Sequence, residues 1–364
     1  MAKTKDDIQN LVLPLIRDEK RAGVILSMGI GKTLLCLKDM DYHYSETSDV
    51  LVVAPQLTVF KSWKDDLRNF DMEYLLDHIT FSTYLSLTKQ RLNYDTVYLD
   101  EMHSLIPEEH DSWLSQFTGR IIGVTGTEPK SWTDRGKFIN KYCPVVYRYD
   151  TDDAVEDDIL NDYRIIVHAM PLDSSKTLQM TSKAGKSWMT SELESYHYWC
   201  KRLDMTTAPA EEKMMRLMRM KALQGFPSKE VYAKQLLYDT DDKCVIFANT
   251  QKQADRLYPS SYHSGNSRSE ENMKLFEEGT IKKLSCVHQL SQGANIKGLK
   301  VVIILHSYGN NIKTPQRLGR ALRLPPGEKA TIHILTYRNT VDIEWTRSAL
   351  SGFDQSKITW TEVN

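Results

Sequence analysis

Gly23-Val24-Ile25-Leu26-Ser27-Met28-Gly29-Ile30-Gly31-Lys32-Thr33, continued by LLCLKDM at residues 34–40, passes from an apolar strand through a glycine turn into a helix with apolar periodicity. In that context, glycines at 29 and 31 let backbone amides close around phosphate oxygens. The first turn of the following helix adds the positive end of its dipole. Met28, Gly29, Ile30, Gly31, Lys32 and Thr33 are therefore the candidate nucleotide-binding residues. Lys32 is expected at the β and γ phosphates of ATP, and the Thr33 hydroxyl at Mg²⁺. The strict pattern has glycine where Leu26 stands, so a glycine-containing turn with a chance Gly-Lys-Thr is the reading against which this one is set.

Working outward, GVIL at 23–26 is the first of four short apolar runs; VLVVA at 50–54, TVYL at 96–99 and IIGV at 121–124 follow, each with a turn signal and a stretch of helix-compatible length behind it. That alternation predicts a parallel sheet covered by helices over residues 1–150. The pattern returns as KCVIFA at 243–248, KLSCV at 283–287, KVVIIL at 300–305 and ATIHIL at 330–335, predicting a second α/β domain over 236–364. Between them, 151–235 opens on the acidic TDDAVEDD and is rich in Met, Lys, Arg and Glu; it is expected to be a mainly helical connector whose methionines fill packing gaps.

With 364 residues, two domains are the natural division, and each is long enough to bury its own core. No apolar run approaches the roughly 18 residues of a membrane span, and MAKTKDDIQN lacks the apolar stretch of an export signal, so a cytoplasmic protein is expected. Five widely spaced cysteines without a CxxC pair suggest neither a zinc site nor a disulfide framework. A net charge of -1, from 47 basic and 48 acidic residues, excludes a global basic field, so any nucleic-acid binding needs a local groove.

The second chemical signal is Asp100-Glu101-Met102-His103 directly after TVYL. Its carboxylates sit at the carboxyl end of a buried strand, the edge where open α/β sheets bind ligands. Asp100 is the expected Mg²⁺ ligand beside Thr33, and Glu101 the group that orients and deprotonates an attacking water. A solvated Asp-Glu helix cap is the plainer alternative.

These residues resemble motifs I and II of the superfamily 2 DExH-type helicases and translocases. The wider pattern is similar to the Swi/Snf-like branch, where the phosphate loop reads DEMGLGKT and the missing glycine is normal. Further segments match in order: Val53-Ala54-Pro55 leading to Trp63 resembles motif Ia, Thr83-Tyr84 motif Ic, and Val124-Thr125-Gly126-Thr127-Glu128-Pro129 motif III. Val245-Ile246-Phe247 resembles motif IV, Gln292-Gly293-Ala294-Asn295-Ile296 motif V, and Gln316-Arg317-Leu318-Gly319-Arg320-Ala321-Leu322-Arg323 motif VI. The resemblance implies two tandem RecA-like domains that hold ATP and Mg²⁺ and move along nucleic acid, DNA rather than RNA. The compact length looks like a phage-encoded helicase, with the host cytoplasm as its expected location and a monomer as its expected state.

Arg317, Arg320 and Arg323 are three apart and share a helix face, which suits a triphosphate. By the resemblance Arg320 is the arginine finger, Arg317 its partner, and Gln316 a link to the nucleotide. Gln56, Thr83, Asn249, Gln292 and Gly293 are the expected contacts to the phosphodiester backbone, a sequence-independent grip. Gln9 is either an adenine contact or a surface glutamine, and Trp63, Trp132, Trp188 and Trp199 are read as packing before base stacking. Three alternatives stay open: a duplex translocase that does not unwind, an RNA helicase, and a nucleotide-dependent binding scaffold.

Overall fold

The computed structural model describes residues 3–27, 29–127, 130–181, 184–287, 296, 298–307, 324 and 327–363. They fall into two compact units. One holds Met1–Asp162 with shorter returns of the chain; the other holds Tyr163–Gln289, Leu299–Asn310 and Ala330–Asn364.

In the first unit, α1 (Lys5–Arg17) precedes six strands: β1 (Arg21–Leu26), β2 (Val50–Ala54), β3 (Ile79–Thr83), β4 (Thr96–Asp100), β5 (Arg120–Thr125) and β6 (Val145–Tyr149). They form one sheet in the order β3-β2-β4-β5-β1-β6, with every pairing parallel. Parallel strands need crossovers, and α2 (Lys32–Tyr42), α3 (Thr58–Asn69), α4 (Pro107–Leu114) and α5 (Asp134–Tyr142) serve in them; α6 (Thr151–Glu156) follows β6. β2 and β4 are buried at every position, the mark of strands covered on both faces. The core gathers Leu51, Val53, Val97, Leu99, Met102, Trp113, Phe117 and Ile121.

The second unit contains β7 (Asp162–Met170), an antiparallel hairpin of β8 (Leu178–Thr181) and β9 (Ser187–Thr190), and helices α7 (Glu192–Asp204), α8 (Pro209–Gly225) and α9 (Pro227–Asp239). Then come β10 (Cys244–Phe247), α10 (Gln251–Leu257), β11 (Ser261–Tyr262), α11 (Ser269–Glu277), β12 (Lys283–Cys286), β13 (Val301–Ile304), β14 (Lys329–Tyr337), α12 (Val341–Leu350) and β15 (Ile358–Glu362). The sheet order is β11-β12-β10-β13-β14-β7-β15. α9 meets α12 through a buried ion pair of Lys229 and Asp342, and the Asp342 carboxylate also accepts from the Tyr337 amide at 2.8 Å.

Two tandem parallel-sheet units with covering helices match the expected class, and all eight predicted strand runs are strands. The segment 151–235 differs from the expectation of a separate connector. α6 belongs to the first unit, whereas everything from Tyr163, including β7 inside the second sheet, belongs to the second. The long stretch of helix there packs on the second core, which includes Tyr196, Leu223, Phe226, Ala233 and Leu237. Among the described residues no helix is long and apolar enough to cross a membrane.

Candidate active site

Sheet order brings the chemistry together. β4, β5 and β1 are adjacent, so the segments that leave their carboxyl ends start within about 10 Å of one another. These are Glu101 after β4, Thr125 at the end of β5, and the glycine loop after β1.

The loop leaves β1 with Gly29 and Gly31 both at φ +91°, a left-handed conformation that side-chain-bearing residues rarely adopt. Gly31 caps α2, and Lys32 and Thr33 open the helix. A Cβ on Gly31 would stand 2.6 Å from Gln9 Nε2. Gln9 is 1% exposed and donates through Nε2 to the carbonyls of Ile30 (3.1 Å) and Gly31 (3.4 Å). The surface reading of Gln9 is thereby overturned, because α1 packs this side chain onto the loop itself. Ile30 is fully buried, so its contribution to any ligand is its backbone.

α2 is pinned by an ion pair that sequence spacing does not announce. Asp39, fully buried on α2, accepts from Arg120 of β5 at 2.8 and 3.1 Å and from the Tyr98 hydroxyl of β4 at 2.6 Å. One helix is thus locked to the two strands that carry the acidic and threonine segments.

Asp100 is 8% exposed, and its Oδ2 accepts from the indole N–H of Trp63 at 3.0 Å. Burial, then the neighbouring Glu101, push its carboxyl above the usual range; the Trp63 hydrogen bond and the Lys32 ammonium oppose this. Trp63 is fully buried, so it is packing that also carries a polar contact to the site.

Glu101 sits at φ 54°, ψ 55°, an uncommon left-handed conformation for a residue with a side chain. Burial would raise its carboxyl, but Lys32 and the hydrogen bonds from His103 and Thr125 outweigh that and hold it below the ordinary carboxylate range. The Thr125 hydroxyl donates to Glu101 Oε2 at 3.0 Å and accepts from the Thr127 amide at 3.2 Å. His103 Nδ1 stands 2.8 Å from Thr125 Oγ1 and 3.2 Å from Glu101 Oε2. The result is an anionic carboxylate fixed by a hydroxyl and an imidazole, with a lysine charge in reach of both acids.

Of the remaining sequence-predicted residues, Thr33 lies near Asp66 of α3, where its hydroxyl favours the charged form of that carboxyl against burial and Asp65. Gln56 is exposed just past β2, and Thr83 ends β3 beside it in the sheet, so both lie on the edge that carries the loop. Asn249 follows β10 with its side-chain amide donating to Gln224 Oε1 at 2.8 Å. Met28, Gln292, Gly293, Gln316, Arg317 and Arg320 lie outside the described residues. Sequence reasoning gave no site role to Asp39, Arg120 or Thr125, and the last was visible only as part of a motif.

Residues 2–130 match the family model described as the res subunit of type III restriction enzymes, and residues 228–325 match the helicase conserved C-terminal domain. The DNA 3'-5' translocase XPB2 of Sulfurisphaera tokodaii is 22% identical over 386 residues, covering 93% of this chain and 87% of that protein. Putative protein p41 of Acyrthosiphon pisum secondary endosymbiont phage 1 is 29% identical over 133 residues, 34% of this chain and 28% of that protein. Among solved structures, the ATP-dependent type ISP restriction-modification enzyme LlaBIII bound to DNA superposes over 100% of this chain with a TM-score of 0.63 and 15% identity, and this chain covers 31% of its length.

Proposed function

This chain belongs to superfamily 2 of the helicases and translocases and hydrolyses ATP, and from that premise we propose that it is a motor that travels on DNA, with Lys32, Thr33, Asp100 and Glu101 as its hydrolytic centre. The observation that carries the reading is the convergence of one lysine charge and two acids at the ends of adjacent strands, the second acid tied to Thr125 and His103.

The backbone amides of 28–33 cradle the phosphates, and Lys32 neutralises the β and γ oxygens. Glu101, held ionised and oriented by Thr125 and His103, aligns the attacking water and takes its proton. Arg320, with Arg317, stabilises charge on the γ-phosphoryl group, and Gln316 links the nucleotide to that segment.

A magnesium ion fits the residues present. The Thr33 hydroxyl and the Asp100 carboxylate are hard oxygen donors, and Asp100 is a buried acid whose ionisation a divalent cation favours. Among the described residues no group of three or more His, Cys, Asp or Glu could hold a metal ion. Held by Thr33 and Asp100, such an ion would supply positive charge against the triphosphate.

The track is assigned to Gln56, Thr83, Asn249, Gln292 and Gly293, all of them grips on the phosphodiester backbone. DNA is preferred over RNA because the relative matched over most of its length is named a DNA translocase, and the same relation favours 3' to 5' travel. A phage origin, the host cytoplasm and action as a monomer belong to the same proposal, the first on the partial match to the phage protein.

The test is ATP turnover with single-stranded DNA, duplex DNA and RNA, beside a forked-duplex unwinding assay. Stimulation by DNA, weakening as salt rises, is expected. Stimulation by RNA alone would overturn the choice of polymer, and turnover indifferent to every polymer would overturn the motor.

A further inference from the structure

We propose that the edge of the second sheet where β14, β7 and β15 end carries an accessory site for single-stranded nucleic acid, with Trp360 stacking a base and Arg219 and Arg347 holding the flanking phosphates.

The three strand ends are brought together by the Arg338 amide, which donates to the Met170 carbonyl at 2.8 Å, and the Val363 amide, which donates to the Ala169 carbonyl at 3.0 Å. Above them opens a cavity of about 940 Å³ whose walls include Arg219, Arg338, Arg347 and Trp360. Carboxyl ends of strands are where open α/β sheets take ligands.

Three features select the ligand. Trp360 is 40% exposed on an edge strand, an indole left at the surface beside charge. The Arg347 guanidinium lies 5.6 Å from its ring centroid, and the same two residues also line a second cavity of about 300 Å³, so open space adjoins the indole in two places. Arg219 keeps its Nε buried with no hydrogen-bond partner among the described residues, and its Nη1 has only the Cys200 sulfur at 3.9 Å. Arg219 lines the cavity wall with only this weak sulfur contact, and a phosphate oxygen is the acceptor that arginine forks match best. Glu344 and Glu362 also line the cavity, and Arg338 is bonded to Glu362 at 3.0 Å, which leaves Arg219 and Arg347 as the phosphate ligands. Aromatic face with flanking guanidinium is the chemistry that holds a base and its phosphates without reading sequence.

This site is separate from the track assigned above. Asn249 follows β10, and β7 lies three strands away in the sheet, about 14 Å. The inference rests on the motor reading only for its choice of a polynucleotide as ligand.

The experiment measures binding of fluorescent oligothymidylates, one short and one several times longer, to the full chain and to a variant carrying R219A, R347A and W360A, with salt titrations and with thymidine monophosphate as competitor. The variant is expected to lose about fivefold or more in affinity for the long strand, the scale of one stacked base. Its salt slope should fall by about 1.4, two single-strand phosphate contacts. Affinity for the short strand and turnover without nucleic acid should be unchanged. Photocrosslinking of the unaltered chain to a bromouridine-substituted strand, expected to label the peptide of Trp360, keeps the test independent of the variant's folding. Equal binding of the long strand by both proteins, absence of the crosslink, or displacement by the mononucleotide alone overturns the site while leaving the motor intact. Failure of the unaltered chain to bind any strand would instead count against the motor reading.

Discussion

Replacing Thr125 by Val removes one oxygen from the candidate active site and almost no volume. Thr125 is fully buried at the end of β5, and its hydroxyl donates to Glu101 at 3.0 Å while accepting from the Thr127 amide at 3.2 Å. A hydrogen bond to a charged group contributes about 1.5–3 kcal/mol. If that bond is what holds Glu101 for the attack of water, its loss lowers kcat by roughly 10- to 150-fold. ATP affinity should change little, because among the described residues the side-chain bonds of Thr125 go to Glu101, His103 and Thr127 rather than to Lys32. The assay is nucleic-acid-stimulated phosphate release under saturating ATP, with ATP affinity measured separately and thermal unfolding as the control for folding. Thr125→Ser keeps the hydroxyl and should recover most of the rate. A folded Thr125→Val protein with undiminished kcat would show that this hydroxyl does not position Glu101, and so would a serine variant as slow as the valine one.

Two further predictions concern the second unit. His333, stacked on His168 with 2.9 Å between ring nitrogens, has its pKa lowered to about 4, by burial first and then by His168 and Arg164. Between 6.5 and about 4 the unfolded chain therefore binds a proton that the folded chain does not, so stability should fall as pH falls, by about 2 kcal/mol from pH 6.5 to 5. Urea unfolding across that range checks it, and His333→Asn should flatten the slope. Lys229→Met leaves Asp342 buried without its cation and should cost about 3–5 kcal/mol, with much of it restored when Asp342→Asn is added; denaturation of the single and double variants, in which the double is no more stable than the single, would deny the pair its role.

Much of the site was legible because its residues follow buried strands directly. GVIL and TVYL are unbroken apolar runs, so the glycine loop after one and the acid pair after the other could be placed at a sheet edge before any coordinates. β3 and β6 went unread, since they are edge strands, mostly half-buried, and ITFST and VVYRY carry polar residues accordingly. β7 was hidden more deeply. Its partner β15 lies almost two hundred residues downstream, as in the pairing of Val167 with Trp360, and an acidic segment precedes it, so the run DYRIIVHAM read as part of a connector. Gln9 and the triad of Asp39, Tyr98 and Arg120 could not be found for a related reason. Gln9 and Asp39 look like ordinary surface residues until the packing of α1 and α2 buries them, and nothing in the sequence marks Tyr98 and Arg120 as the partners of Asp39. Local pattern carries which segments hold chemistry; the contacts that position them are made by elements far apart in sequence.

On the proposed mechanism Glu101 activates the water while Lys32 and the loop bind the nucleotide. Glu101→Gln separates the two, since the amide keeps the shape of the side chain and loses the base. Measured side by side, ATP affinity should stay within about threefold of the unaltered protein, whereas nucleic-acid-stimulated turnover should fall at least about 100-fold, the low end of what general base catalysis supplies. Turnover that persists at the original rate in a folded Glu101→Gln protein would show that Glu101 is not the base.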